Sequence, residues 1–350
     1  MIHILRYLLF PFALLYGLVM ALRNALFHWG VFKSESFEVP VISLGNITVG
    51  GTGKTPHSEY LISLLGAHYR VAVLSRGYGR QTKGFREVTA EASSLDCGDE
   101  PCQMKGKFPQ AIVAVDEERK RGIKYLVENY QAELVLLDDA FQHRWVKPGL
   151  SLLLVDYGRP FFKDFVLPMG RLREFPAGKK RADIIVVTKC PKALTKEEKA
   201  FWQKRLKLNA SQQLFFSTFT YGAPLPVFPD VCKPTLTLDN AELLLLTGIA
   251  NPQPLADYLT GQGAHVKPLS FADHHVFTAK DVAKLQESYQ SIAAMGGVIL
   301  TTEKDAARLS SDVDLPQEIK EKLFYVPIQV QILDNEKEFN QIIESYVAKN

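Results

Sequence analysis

The sequence is poor in cysteine, nearly neutral, and free of internal repeats and low-complexity tracts. Its 350 residues include 4 cysteines, too few for a disulfide framework. Cys97 and Cys102 flank an acidic pair, but no second Cys or His pair lies nearby in the sequence to complete a zinc site. A formal net charge of +3 gives no reason to expect a nucleic-acid partner. What remains is the composition of an ordinary globular chain, 47% hydrophobic and 23% charged.

Long apolar runs are also missing, except at the N-terminus. Residues 7–22 carry no charge and are bracketed by Arg6 and Arg23. As a helix they would span about 24 Å, less than the ~30 Å hydrocarbon core of a bilayer. A buried core helix and a signal peptide are alternatives, although no small-residue cleavage site follows the run. We expect residues 1–30 to form a membrane-associated helix, with Trp29 at the interface and flanking cations reaching the headgroups.

Short apolar runs recur along the rest of the chain. They are continuous rather than alternating, which is typical of strands buried on both faces of a sheet. Helix-like stretches separate them, so this order predicts a parallel, doubly wound sheet. The predicted strands are 39–46, 70–77, 111–116, 133–139, 150–156 and 182–189, and the predicted helices include 55–68, 116–130 and 195–208. A proline-rich stretch near Tyr221 predicts a linker, and four later apolar runs (242–252, 265–270, 297–305 and 322–332) predict a second, smaller α/β domain.

The stretch GNITVGGTGKTP, residues 45–56, has the composition of a phosphate-binding loop. A predicted strand precedes it and a predicted helix follows, so backbone N–H groups and a helix N-terminus would face the phosphates. Thr48 stands where the commonest pattern has glycine, as in loops built on GG-x-GK-[ST]. Lys54 is predicted to neutralise phosphate oxygens of ATP, and Thr55 to hold Mg²⁺. The predicted nucleotide-binding residues are Thr48, Val49, Gly50, Gly51, Thr52, Gly53, Lys54 and Thr55.

Two acidic pairs are candidates for the chemistry. Asp138 and Asp139 end an apolar run in the manner of a Walker B element, which places carboxylates near Mg²⁺. Asp99 and Glu100 lie in a Gly/Pro-containing stretch that we interpret as a turn, where they offer a proton acceptor or a metal ligand. A solvated turn or a helix cap is the alternative for these pairs.

Basic stretches follow the strands as well. LSRGYGRQTKG, 74–84, and MGRLREFPAGKKR, 169–181, are predicted to lie on the same sheet edge as the phosphate loop. Such loops are often simply solvated, but here an anionic substrate could dock between them. FADHH, 271–275, offers a histidine partner for the carboxylates.

Taken in order, GNITVGGTGKTP, SRGYGR, GDEP, DDAFQHR, GRLREF, TGIANP, DHH and TTEKDA resemble the motifs of the tetraacyldisaccharide 4′-kinase family of lipid A biosynthesis. They run from Gly45 to Ala306, and the apolar N-terminus resembles that family's membrane-associated helix. The resemblance implies transfer of the γ-phosphate of ATP, with Mg²⁺, to the 4′-hydroxyl of tetraacyldisaccharide 1-phosphate, which forms lipid IVA. It implies a glycolipid and a membrane surface as partners, at the cytoplasmic face of the bacterial inner membrane. We expect a monomer.

The resemblance also implies roles for individual residues. Asp99 matches the catalytic base and His274 its partner, although sequence does not decide between His274 and His275. Ala140 stands where the family usually has glycine, which leaves the local loop geometry open. The implied residues are Asp99, His274, Lys54, Asp138 and Asp139 for catalysis, Thr55, Glu100 and Asp139 for metal, and Arg76, Gln142, Arg171 and Glu174 for substrate.

The predicted architecture is a P-loop NTPase-like, doubly wound, mostly parallel α/β sheet with a second domain. We expect an N-terminal helix over 1–30, a P-loop kinase domain over 31–222 and a smaller α/β domain over 223–350, whose last elements could return to the first. One alternative is a partition-type or switch ATPase, although those proteins often carry lysine where Val49 stands. Another is a dethiobiotin-synthetase-like enzyme of soluble metabolites, against which the apolar N-terminus argues.

Overall fold

A computed structural model describes residues 7–231, 236–273, 275–311 and 313–350. Its strands are β1 (Val41–Gly45), β2 (Val71–Ser75), β3 (Arg86–Glu87), β4 (Ile112–Val115), β5 (Leu134–Leu137), β6 (Leu150–Asp156), β7 (Ile184–Thr188), β8 (Gln213–Tyr221), β9 (Leu225–Pro226), β10 (Glu242–Thr247), β11 (His265–Ser270), β12 (Val298–Thr302), β13 (Leu323–Val326) and β14 (Ile328–Leu333).

The helices lie between these strands and at both ends of the chain. They are α1 (Phe10–His28), α2 (Lys54–Leu65), α3 (Ser94–Cys97), α4 (Asp99–Lys107), α5 (Arg119–Tyr130), α6 (Lys196–Leu206), α7 (Gln253–Gly261), α8 (Ala279–Ala293), α9 (Glu303–Ser311), α10 (Gln317–Lys320) and α11 (Glu336–Ala348). Short 3₁₀ turns cover Phe161–Lys163 and Pro176–Arg181.

The first sheet has the strand order β14-β8-β7-β6-β1-β5-β2-β4-β3. Its inner strands are parallel, whereas the edge strands β14 and β3 are antiparallel to their neighbours. Every residue of β1 and β5 is buried, as continuous apolar strands covered on both faces require. This confirms the predicted mostly parallel α/β fold. Because the carboxyl ends of parallel strands share one edge, the loops after β1, β5 and β7 converge there.

The second sheet has the order β11-β10-β12-β13-β9. The chain then returns to the first sheet, a point that the sequence left open. Pro327 separates β13 from β14, and β14 pairs antiparallel with β8. Proline cannot donate to a strand ladder, so it favours the break at which one apolar run divides between two sheets. Phe339 and Ile343 of α11 then bury against the first sheet's core.

Helix α1 covers 19 residues and extends the predicted apolar segment beyond residue 22. Among the described residues it is the one helix whose length and hydropathy are sufficient to cross a membrane, and only 17% of its most apolar window is buried. Ala13, Gly17 and Phe27 form its buried stripe. A Cβ on Gly17 would lie 2.5 Å from the Phe175 ring, so α1 packs closely against the GRLREF segment.

Candidate active site

The phosphate loop joins β1 to the N-terminus of α2. Gly50 and Gly53 have φ of 102° and 88°, in the left-handed region that favours glycine. An added Cβ on Gly53 would also lie 2.6 Å from the Phe219 ring. These two glycines are therefore required by the backbone path, and Lys54 follows as the first residue of α2.

Hydrogen bonds from neighbouring loops fix the shape of this turn. Asn46 Nδ2 donates to Thr52 Oγ1 at 2.7 Å, and Thr188 Oγ1 donates to the Thr52 carbonyl at 2.8 Å. Val49 N donates to the carbonyl of Arg171 at 2.7 Å, which joins the loop to the GRLREF segment. These hydrogen bonds with Asn46, Thr188 and Arg171 therefore fix the conformation of the loop.

Asp138 follows β5 and is buried beside α2. Ser58 Oγ donates to its Oδ1 at 2.9 Å, whereas its buried Oδ2 has no hydrogen-bond partner among the described residues. Burial, and then the nearby Glu100 carboxylate, raises the pKa of Asp138 to about 7. A cation bound beside this carboxylate would favour its ionised form at neutral pH.

Asp139 is held by cations from two other segments. Lys54 Nζ lies 3.6 Å from its Oδ2, and Arg173 donates to both of its oxygens at 2.8 and 3.1 Å. Burial opposes ionisation, but Lys54 and Arg173 outweigh it and lower the pKa of Asp139. Asp139 also has φ of 46°, whereas Ala140 is not left-handed, so the missing family glycine does not distort this turn.

The residues around Asp138 suit Mg²⁺. No group of three His, Cys, Asp or Glu side chains that could hold a metal occurs in the described part of the chain. Mg²⁺ does not need one, because it is usually bound by one or two carboxylates together with water and substrate phosphates. The open oxygen of Asp138 and the buried hydroxyl residue Thr55 provide such a partial set beside the phosphate loop.

Asp99 is the first residue of α4 rather than part of an open turn. Gly98, with φ of 92°, precedes it and starts the helix. Arg308 Nη2 donates to Asp99 Oδ2, and Lys304 Nζ lies 4.0 Å from the same oxygen. Both cations are on α9, within and just after the TTEKDA motif, so a helix that follows a strand of the second sheet reaches Asp99. His274, its expected partner, lies outside the described residues.

Glu174 is the centre of a buried polar network. Its carboxylate accepts from Arg181 at 2.7 and 2.8 Å, from Gln142 Nε2 at 2.9 Å and from Asn24 Nδ2 at 2.9 Å. Gln142 Nε2 also donates to the Asn46 carbonyl at 2.8 Å. The network therefore links α1 to the start of the phosphate loop. Arg76 and Arg171, the other predicted substrate residues, have exposed side chains.

Sequence reasoning missed three residues near this edge. Arg173 lies between the two predicted substrate residues of GRLREF, and its bidentate contact is with Asp139. Arg119 is 3% exposed, and neither its Nε nor His143 Nε2 has a partner within the described residues. Burial, and then Arg119, lowers the pKa of His143 to about 4, so the imidazole is neutral. Nothing in the local sequence indicates a functional role for Arg119, which is the first residue of a basic helix. His143, by contrast, lies within the DDAFQHR motif.

A family model described as tetraacyldisaccharide-1-P 4′-kinase matches residues 5–348. The chain belongs to the tetraacyldisaccharide 4′-kinase family. Relatives named tetraacyldisaccharide 4′-kinase include a Bacteroides thetaiotaomicron protein, 47% identical over 98% of this chain and 93% of its own. A Flavobacterium johnsoniae protein of the same name is 43% identical over 99% of both chains. The family resemblance of the motifs is thereby confirmed.

A solved structure supports the same assignment. The apo form of LpxK from Aquifex aeolicus, in complex with ATP, is 29% identical, with a TM-score of 0.75. The match covers 98% of this chain and 99% of that one. A member of the tetraacyldisaccharide 4′-kinase family is an ATP-dependent kinase of a lipid A precursor. The partition-type ATPase and the dethiobiotin-synthetase-like enzyme are therefore not favoured.

Proposed function

We propose that this chain, as a monomer, transfers the γ-phosphate of ATP to the 4′-hydroxyl of tetraacyldisaccharide 1-phosphate. The observation that carries the proposal is the convergence of Lys54 with the strand-end carboxylates Asp138 and Asp139 in a member of this family. We place the reaction at the cytoplasmic face of the bacterial inner membrane.

The phosphate loop, 48–55, binds the triphosphate. Its backbone N–H groups and the N-terminus of α2 supply partial positive charge, and Lys54 adds a full charge. Asp138 and Thr55, together with Glu100, would hold Mg²⁺, which would neutralise charge on the β- and γ-phosphates. Asp139 is already occupied by Lys54 and Arg173, so we assign it the role of orienting Lys54.

Asp99 accepts the proton of the 4′-hydroxyl. A sugar hydroxyl has a pKa far above neutrality, so a carboxylate that takes its proton late in the transfer suffices. Asp99 and Glu100 are the first two residues of α4, and the charge of Glu100 contributes to the raised pKa of Asp138. The start of α4 therefore lies near the proposed metal site. The acceptor hydroxyl would thus be placed beside the bound nucleotide.

The acceptor glycolipid binds between the cationic residues and α1. Arg119, whose Nε has no partner among the described residues, and the neutral His143 lie close to the exposed Arg76, and this group offers donors to a sugar phosphate. Gln142 and Glu174, already fixed by their network, shape the wall next to α1. Arg171 is exposed at the rim.

Helix α1 attaches the protein to the membrane surface. Tyr16 Oη donates to the Arg173 carbonyl at 2.9 Å, so one side of α1 packs against the GRLREF segment. The other sides expose Phe12, Leu15 and Val19 at 64%, 62% and 56%. An apolar helix that is anchored along one stripe fits insertion beside the domain better than an independent span.

We also propose a division of labour between two domains. The first, over 31–222, binds the nucleotide and carries Asp99, and it is completed by β14 and α11 on their return. The second, over the intervening part of 223–350, brings α9 to Asp99.

The test is an assay with labelled ATP and tetraacyldisaccharide 1-phosphate in mixed micelles. The wild type should produce the 4′-phosphate, whereas Lys54→Ala and Asp99→Ala should each lower the rate by about 100-fold or more. Lys320→Met, which removes an exposed ion pair with Asp314, is the control and should keep full activity. Label appearing only as inorganic phosphate would contradict the proposed transfer.

A further inference from the structure

Arg308 of the second domain forms an ion pair with Asp99 of the first. Its side chain is only 3% exposed. Nη2 donates to Asp99 Oδ2, while Nη1 donates to Asp305 Oδ1 at 2.9 Å and to the Gly248 carbonyl at 3.2 Å. The guanidinium thus bridges two carboxylates from different domains.

Residues at the strand ends of the second sheet fix the position of Asp305. Asp305 is fully buried, and its Oδ2 accepts from Gly248 N at 2.9 Å and from Thr302 Oγ1 at 2.7 Å. Gly248 follows β10, and Thr302 ends β12. Two adjacent strand ends therefore fix Asp305, and Asp305 in turn fixes the plane of Arg308.

We propose that Arg308 is a positioning residue that holds the carboxylate of Asp99 in the orientation needed to receive the hydroxyl proton. The inference rests on the proposed function of Asp99. A planar guanidinium can donate to two carboxylates in a fixed geometry, whereas a lysine ammonium cannot reproduce that geometry. The second domain thereby contributes to catalysis through α9, whose Arg308 contacts Asp99 directly.

A second contact between the same helices provides a matched comparison. Lys107, the last residue of α4, lies 2.6 Å from Glu59 on α2 and 2.7 Å from Glu303 on α9. This contact also joins the domains but does not include Asp99. A role of Arg308 that consisted only of holding the domains together would be shared by Lys107.

The first measurement separates kcat from KM. Arg308→Met should lower kcat by about 10- to 100-fold, which is a smaller loss than that expected for removing Asp99 itself. The KM for ATP should change by less than about threefold. Arg308→Lys should recover part of kcat. Because Asp305 would be left buried without its cation, Arg308→Met is also made together with Asp305→Asn, and thermal unfolding checks the fold. A full kcat in the folded Arg308→Met or double variant would overturn the proposal.

A double-mutant cycle with Asp99 is decisive. In the Asp99→Ala background, Arg308→Met should cause no further loss of kcat, whereas Lys107→Met should have the same effect with or without Asp99. Equal losses from Arg308→Met in both backgrounds would overturn the inference while leaving the proposed base in place. A near-normal kcat of Asp99→Ala alone would instead remove the proposed base, so the two failures are distinguishable.

Discussion

Lys54 Nζ lies 3.6 Å from Asp139 Oδ2, so the first residue of α2 meets the acid that follows β5. Arg173 donates to that acid as well, whereas one oxygen of the neighbouring Asp138 has no hydrogen-bond partner in the described part of the chain. The two adjacent acids therefore have different surroundings. In the proposed mechanism, Asp139 orients Lys54 toward the phosphates and Asp138 is available for the metal.

Removing the phosphate-loop lysine should abolish most of the transfer. Lys54→Met should lower kcat by about 100-fold or more, because the charge that builds on the transferred phosphoryl group loses its protein cation. Lys192→Met, at an exposed position after β7, is the matched control and should be unaffected. Steady-state assays of both variants check this, and equal activities would contradict the role of Lys54.

Two loop glycines should respond differently to the same substitution. Gly53→Ala places a Cβ 2.6 Å from the Phe219 ring at φ of 88°, so it should distort the loop and weaken ATP binding by about tenfold or more. A Cβ on Gly51 would have no atom of the described residues within 4 Å, so Gly51→Ala should bind ATP nearly normally. Calorimetric titration with ATP measures both affinities, and equal losses would argue against this steric account.

Glu59 should make stability depend on pH. Burial, and then the neighbouring Glu303 carboxylate, raises its pKa from 4.5 to about 7, although Lys107 and the hydrogen bond from Gln103 oppose this rise. The folded state thus keeps the proton to higher pH than the unfolded state, and stability is lost as pH rises between these values. Relative to wild type, Glu59→Gln should therefore gain about 1 kcal/mol or more between pH 5 and 8.

Urea unfolding at those two pH values provides the measurement. Glu344→Gln, at an exposed position on α11, is the control and should keep a constant offset from wild type. The same constant offset for Glu59→Gln would show that Glu59 takes up no proton on folding in this range.

The exposed face of α1 should govern membrane binding. Replacing Phe12, Leu15, Val19 and Leu22 together by serine should reduce partition into phospholipid vesicles by at least about tenfold, because buried apolar area drives the insertion. Activity on substrate dispersed in detergent should change much less, since the stripe that contacts the active-site segment is intact. Unaltered vesicle sedimentation of this variant would count against the anchor.

Deleting the whole helix is a poorer experiment. Asn24 Nδ2 donates to Glu174 at 2.9 Å, and Gly17 packs against Phe175, so truncation would also disturb the substrate network. Gly17→Leu changes the buried stripe of α1 and leaves its exposed face intact. It should lower activity while leaving vesicle partition nearly unchanged, because the substitution lies on the buried stripe.

The strands of the first sheet could be predicted because their signal is local. The run predicted over 133–139 appears as β5, and that predicted over 182–189 appears as β7, each shorter by a residue or two at its ends. Continuous apolar runs of this length that end in polar residues are typical of strands covered on both faces. The prediction for Lys54 and Thr55 likewise rests on a local signal, since the residues of their pattern are contiguous in sequence.

Contacts between distant segments were not predictable. Arg308 lies 209 residues from Asp99 in sequence, and nothing in its local sequence indicates that it would face that carboxylate. Arg173 was passed over because an arginine in a basic loop gives no sign of its partner. The stretch beginning at Asp99 was interpreted as a turn because of Gly98 and Pro101, but proline is compatible with the first turn of a helix.

The most direct test of the proposed mechanism is the single-turnover rate of phosphoryl transfer in Asp99→Asn, measured with enzyme in excess over the glycolipid and with saturating ATP and Mg²⁺. Asparagine keeps the shape of the side chain but cannot accept the hydroxyl proton. We predict a rate at least about 100-fold below wild type with an ATP dissociation constant within about threefold of it. A near-wild-type single-turnover rate would contradict the assignment of Asp99 as the proton acceptor.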